Sequence, residues 1–425
     1  MSNNGLKTGW IAAIARGHNA GVCLMKDGEI VFSIEEERFT RQKYDGGPYA
    51  SMIKILEYTD KIDYLIIAHT QKLHDTAGRV DYTGDDVYTG LARKLNLIER
   101  RANLHNHPQV IDLSHIHHKL HSACAFYRSG WEDAVSLIVD GAGTFIQIQY
   151  GNTPMTIWET ESIIDCAYPA NFKTLYKHYG TRDPILAQVY DNLESDGFDE
   201  PGQFHEAVLT DVAGIVKVYE AVTEYCGFSS IEAGKTMGLF PYGKENSDIP
   251  KLFDTTTKMP LSNRNLIVPN YPNGAFVNKH LYKFLDEDSG VDNSDVTYLE
   301  SRRDLAYAVQ TQTQEQVLRL IRKAVEMSGK KRVVISGGYG LNCVANYWYL
   351  GQLKDEGIEI YVEPISNDAG TAMGAALLFW HSMTQSSEIQ KLDTLYLGPE
   401  QKYTDREILE KVGHVGGEVV DATYD

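Results

Sequence analysis

The sequence predicts an α/β protein built from a duplicated unit, and three observations point there. Apolar runs flank an Asp27-Gly28 pair near the start. A second apolar run, AVSLIVD, ends in the polar turn DGAGT about a hundred residues later and leads into FIQIQY. Two later stretches, KRVVISGGYGLN and IEIYVEPISNDAGTAMGAALLFW, each read as a β-branched strand, a glycine-bearing turn and a helix with small residues near its start.

Asp-Gly between apolar runs is a strong hairpin signal, so WIAAIA, VCLMK and EIVFSIEEER are expected to be a strand, a Gly/Asn-bearing turn and a two-strand hairpin. AVSLIVD has the continuous apolar character of a buried strand, and with FIQIQY it predicts a second hairpin start. Each half would then open with antiparallel strands and close with strand–helix units. The strand–glycine–helix stretches place backbone N–H groups at the carboxyl ends of strands, where α/β sheets bind anions. Residues 181–210 have weak periodicity and read as an insertion with no assignable task.

Composition narrows the function. The 425 residues are 43% hydrophobic and 23% charged, which is ordinary for a globular chain with two or three full cores. The formal charge of -18 disfavours a general nucleic-acid binder while leaving room for a local basic groove. Five scattered cysteines without C-x-x-C spacing argue against a disulfide framework or a zinc ribbon, and are expected to be buried thiols. The N-terminus lacks a basic region followed by an apolar stretch, and no run of eighteen apolar residues occurs, so the expectation is a cytoplasmic protein without a membrane partner.

Chemistry is concentrated in HIHHKLHSACAF, where His117, His118 and His121 share a helical stretch. Residues three and four apart lie on one helix face, so both His117/His121 and His118/His121 are candidate chelating pairs. Such a pair by itself is as readily a polar helix face. Asp140 and Asp368, each ending an apolar segment, add carboxylates that would complete a site for iron, manganese or zinc, although Asp before a turn is also a common turn former. Gly337-Gly338 reads either as part of an anion-binding turn or as a tight strand-to-helix connection.

Taken in order, these segments resemble the O-carbamoyltransferases of the nodulation-factor, cephamycin and aminoglycoside type. GHNAGVCLMKDGEIVFSIEEERFTRQKYD is similar to that family's G-H-D-A/S, hairpin, E-E-E-R-F-T-R-x-K opening. HHKLHSACAFYRSGWEDAVSLIVDGAG is similar to its H-H-x-x-H-A and V-D-G-x-G series, and GIVKVYEAVTEYCGFSSIEAGKTMGLFPYG to its G-K-x-M-G-L-x-x-Y-G segment. ISGGYGLNCVANYWYL and EPISNDAGTAMGAAL complete the set, over about residues 9 to 400.

The resemblance implies an actin-like (ASKHA) fold of two RNase-H-like halves, a Kae1-like transfer domain. The first half would span 1–130 and the second 131–385, with the insertion near 181–210; a tail, 386–425, would lead toward a YrdC-like domain that the sequence does not include. It implies an ATP-dependent enzyme that moves a carbamoyl group from carbamoyl phosphate, through carbamoyl adenylate, to an acceptor hydroxyl of a sugar, a natural product or a hydroxymethylated pyrimidine of DNA. By motif, His117, His121 and Asp368 would hold the metal, Fe2+ in the family, with Asp140 close to it. Gly234, Lys235, Gly238, Gly337, Gly338 and Asn342 would line the ATP site, and His18 and Lys43 would face the carbamoyl group and its acceptor.

Those roles fit the chemistry. The carbamoyl carbon is a reluctant electrophile because its nitrogen lone pair feeds the carbonyl, so Lewis-acid polarisation and clamping of the leaving phosphate matter. His18 suits a general base near neutrality, and Lys43 suits neutralising a phosphate or oxyanion. Asn19 stands where the family usually has Asp, which removes a charge beside His18. The expected source of carbamoyl adenylate is a separate YrdC-like protein or domain. A tRNA threonylcarbamoyl transferase-like enzyme shares the metal and nucleotide motifs, and a non-catalytic actin-like ATP-binding module shares the fold but needs no metal.

Overall fold

The computed structural model describes residues 8–70, 89–99, 107–183, 185, 187–191, 206–254, 261–262, 266–270, 274–278, 299–389, 394–399 and 403–418. The first sheet holds β1 (Trp10–Ala15), β2 (Gly21–Lys26), β3 (Glu29–Glu35), β4 (Tyr64–Ala68) and β5 (Val110–Asp112), in the order β3-β2-β1-β4-β5. The β3-β2-β1 part is antiparallel and the β1-β4-β5 part parallel. Asp27 and Gly28 close the β2–β3 turn with φ of 49° and 97°, the left-handed pair that a two-residue hairpin turn requires. Helices α1 (Glu37–Thr40), α2 (Tyr49–Lys54) and α3 (Thr89–Lys94) follow, and α4 (His117–Ser129) leads toward the second half.

The second sheet repeats the pattern. Its strands are β6 (Asp133–Val139), β7 (Phe145–Tyr150), β8 (Thr153–Ala167), β9 (Asn171–Gly180), β10 (Gln188–Asp191), β11 (Glu206–Thr210), β16 (Arg332–Ser336) and β17 (Glu359–Val362). Within the order β10-β11-β9-β8-β6-β16-β17, the five strands β9-β8-β6-β16-β17 again run antiparallel up to β6 and parallel beyond it. Two sheets with the same order and the same sense are the two RNase-H-like halves of an actin-like fold. Between β11 and β16 lie α5 (Ile215–Tyr225), α6 (Ala233–Leu239), the short strands β12 (Phe253–Asp254), β13 (Leu261–Ser262), β14 (Ile267–Asn270) and β15 (Gly274–Val277), and α7 (Glu300–Ser328). Helix α8 (Cys343–Leu353) joins β16 to β17, α9 (Ala369–Thr384) follows β17, and α10 (Asp405–His414) comes last.

Alternation along β1 explains the layering. Ala12 and Ile14 face a core with Met52, Ile55 and Ala92, whereas Ile11, Ala13 and Ala15 face one with Leu120, Ala123, Ala372 and Met373. That second core also takes in Ala134, Ile164 and Val334 from the other sheet, so α4 and α9 lie between the two sheets. Helices α5 and α7 cover the far face of the second sheet. Sandwiched this way, every residue of α4 is buried.

Two sequence expectations need correcting. AVSLIVD and FIQIQY are not hairpin partners: β6 and β7 lie end to end along the fifteen-residue β8, which pairs with β6 through Glu161–Ala167 and with β7 through Thr153–Trp158. The DGAGT stretch is therefore a loop that bulges from a broken strand. Of the five thiols, Cys343 is exposed while the other four are buried. Part of the 181–210 stretch forms β10 and β11, which extend the sheet beyond β9, and residues 192–205 lie outside the described residues. No described helix is long and apolar enough to cross a membrane.

Candidate active site

Four side chains from three segments converge between the halves. Helix α4 begins at His117, and His121 follows one turn later on the same face. Asp140 is the first residue after β6, at the start of the bulged loop, and Asp368 sits at the N-terminus of α9. The two imidazole Nε2 atoms are 3.2 Å apart, with the rings nearly perpendicular. Asp368 Oδ1 lies 3.5 Å from each of them, and Asp140 Oδ2 lies 3.7 Å from that of His117.

Donors held at about 2.0–2.2 Å from one cation lie roughly 3.0–3.6 Å from each other, so this spacing suits a first-row metal ion. The surroundings agree. Ser336 Oγ lies 3.3 Å from His121 Nδ1, and the Gly338 N–H donates to Asp140 Oδ1 at 2.9 Å, which orients one imidazole and one carboxylate. His117 Nδ1 is buried with no protein partner among the described residues.

Charge in the cluster is shared with a proton when no cation is present. Burial opposes a charge on His117, but Asp140 and Asp368 outweigh it and raise its pKa to about 10. Burial likewise opposes both carboxylates, yet His117 for Asp140, and His117 with His121 for Asp368, hold them below the usual carboxylate range. His118 takes no part. Its Nδ1 meets Ser162 Oγ at 2.7 Å, and burial pushes its pKa down to about 4, so of the two pairs the spacing left open His117/His121 is the one that converges.

The cluster borders a cleft of about 600 Å3 between the halves. His18, on the turn after β1, and Lys43 are exposed on one wall, and Lys43 Nζ sits 5.0 Å from the Tyr44 ring centre. Gly234, Gly338 and Asn342 line the opposite wall. Asn342 is also committed internally: its Oδ1 accepts from the Ala345 N–H at the start of α8, and its amide pairs both ways with Gln310. Gly337 does not line the cleft but makes its turn possible, because at φ 90° a Cβ would stand 2.5 Å from the Val139 carbonyl oxygen. Lys235 is half-exposed and bonded to Glu232 at 2.7 Å, and neither it nor Gly238 is on the cleft wall.

Several cleft residues escaped the sequence reading. Arg16 and His69 directly follow the parallel strands β1 and β4, where the rule that ligands bind beyond strand carboxyl ends would have found them. Burial, then His117, lowers the His69 pKa to about 4. Lys217 and Glu220 reach the cleft from α5 as a 2.7 Å ion pair, and burial raises the Glu220 carboxyl despite that partner.

The profile of the family described as carbamoyltransferase N-terminus matches residues 70–377. An uncharacterized protein of Synechocystis sp. is 28% identical over 96% of this chain and 62% of its own length. The nodulation protein NolNO of Sinorhizobium fredii is 25% identical over 94% of this chain and 52% of its own. The chain thus spans between about half and two thirds of the length of these curated relatives. Among solved structures, full-length HypF in a phosphate- and nucleotide-bound form aligns with 90% of this chain and 57% of that one, at 13% identity and a TM-score of 0.48.

Proposed function

The chain belongs to the carbamoyltransferase N-terminus family, and we propose that it performs the transfer half of an ATP-dependent O-carbamoyl transfer, passing a carbamoyl group from carbamoyl adenylate to an acceptor hydroxyl. In this reading carbamoyl adenylate comes from carbamoyl phosphate and ATP on a YrdC-like module. The observation that carries it is the convergence of His117, His121, Asp140 and Asp368 beside a cleft large enough for a nucleotide and an acceptor.

The donor set of two imidazoles and two carboxylates fits iron, with manganese or zinc as the other candidates. When bound, such a cation supplies Lewis-acid polarisation of the carbamoyl carbonyl. The chain's own residues do the rest. The acceptor oxygen attacks the carbamoyl carbon, forming the carbamate ester bond, while the bond from that carbon to the AMP phosphate oxygen breaks and AMP leaves with the electron pair. His18, exposed on the cleft wall, takes the hydroxyl proton, and Lys43 on the same wall offsets the charge that develops on the leaving phosphate. The turn that carries Gly338, Tyr339 and Leu341 forms the part of the cleft wall that would take the nucleotide.

The test supplies purified chain, loaded anaerobically with Fe2+, with carbamoyl adenylate made by a separate synthetase, and follows AMP release with water or a sugar as acceptor. Release should accelerate with wild-type protein and fall at least a hundredfold in both His18→Ala and His117→Ala/His121→Ala. Equal rates in all three proteins would defeat the reading.

A further inference from the structure

His117 and Asp140 come from different segments, and their separation depends on a cross-link between the bulged loop and the first turn of α4. Thr144, at the end of that loop, makes the link. Its Oγ1 accepts the His117 backbone N–H at 3.1 Å and donates to the Ser114 carbonyl at 3.0 Å. The hydroxyl therefore serves as donor and acceptor to consecutive pieces of the segment that delivers the histidine.

The loop is in turn fastened to β8. The Thr144 N–H donates to Glu159 Oε2 at 2.9 Å, the Gly143 N–H to the Glu159 carbonyl at 2.9 Å, and the Asp140 N–H to the Thr160 carbonyl at 3.0 Å. Glu159 is fully buried and ion-paired with Lys177 of β9, so its carboxylate is held in place and compensated. His118 and Glu159 leave no room over Gly143, where a Cβ would meet His118 Cδ2 at 2.5 Å and Glu159 Oε2 at 2.6 Å. The loop thus has one course, and it runs from Asp140 to the hydroxyl that holds His117.

We propose that Thr144, anchored by the Glu159–Lys177 pair, is a positioning residue that sets the spacing of Asp140 against His117 and with it the cation affinity of the cluster. The inference rests on the metal reading above. Thr144, Glu159 and Lys177 stand outside the four-residue cluster, and their work is geometric.

The experiment compares wild type, Thr144→Val, which is nearly isosteric but lacks the hydroxyl, and Thr144→Ser, which restores it. Co2+ and Fe2+ affinities are read anaerobically by chelator competition, together with the Co2+ absorption spectrum and the thermal midpoint of the metal-free proteins. Thr144→Val should bind 10–100-fold more weakly with a shifted Co2+ spectrum, and Thr144→Ser should stay within about threefold of wild type, as expected when an outer partner of a metal ligand is lost and regained. Wild-type affinity in Thr144→Val, even with a lowered midpoint, would overturn the inference and leave the metal reading standing, whereas no binding by wild type would overturn both. Should Thr144→Val not fold, Thr144→Ala against Thr144→Ser poses the same question without a branched side chain in the loop.

Discussion

Gly374 is where the helix that starts at Asp368 touches the helix that carries His117 and His121. A Cβ there would lie 1.9 Å from the Leu120 carbonyl oxygen and 2.9 Å from the Cys124 nitrogen. Both atoms are backbone, so no side chain can turn aside. Carbon–oxygen contacts settle well above 3 Å, and Gly374→Ala must therefore push α9 and α4 apart by more than about 1 Å. Overpacking of this kind costs about 1–3 kcal/mol, or roughly 1–3 °C of thermal midpoint in a chain of 425 residues. The same displacement stretches the 3.5 Å separation of His121 Nε2 and Asp368 Oδ1 beyond the span one cation bridges. Metal affinity should fall about 10–100-fold. Calorimetry of the metal-free protein and anaerobic chelator competition read the two effects, with Gly351→Ala as the control, since nothing lies within 4 Å of its added Cβ. Wild-type midpoint and affinity in Gly374→Ala would refute the claim that close contact of these helices builds the cluster.

Three further outcomes follow from buried charge. Because the folded His117 pKa of about 10 lies above the unfolded value of 6.5, its contribution to metal-free stability is complete below pH 6.5 and fades as pH rises toward 10. A cation must expel that proton, so affinity measured between pH 7 and 9 should rise about tenfold per unit; a flat profile would contradict this assignment. Arg128 Nη1 and Glu363 Oε1 form a 2.8 Å ion pair between α4 and the segment leading to Asp368, and both side chains are buried. Glu363→Gln should lose about 3–5 kcal/mol in urea unfolding, most of it recovered in Arg128→Met/Glu363→Leu, which leaves no uncompensated charge.

The duplicated unit was legible because its strongest signals are local. Asp27-Gly28 marks the first hairpin, and the glycine turns after β16 and the Asp368 start of α9 follow strands whose apolar runs are plain. The pairing of β6 is not legible in the sequence, because its partner is the far half of β8, some twenty residues on, and periodicity does not report pairing. His117 and His118 were equal candidates on spacing alone. What separates them is the second sheet, whose Ser162 engages His118, and a helix buried on every side gives no amphipathic stripe to read. Lys235 shows the limit of motif order, because its ammonium turns to Glu232 although its neighbour Gly234 lines the cleft. Thr144 and Glu159 carry no signature at all, and their work emerges only when loop, helix and strand meet.

His117 and His121 are proposed to hold a metal next to the cleft that would take ATP. Elemental analysis of anaerobically purified wild type beside His117→Ala/His121→Ala, with ATP binding followed in both, tests it most directly. Wild type should carry about one iron, manganese or zinc per chain, lost in the double variant while ATP still binds. No metal in wild type, or equal metal in both proteins, would contradict it.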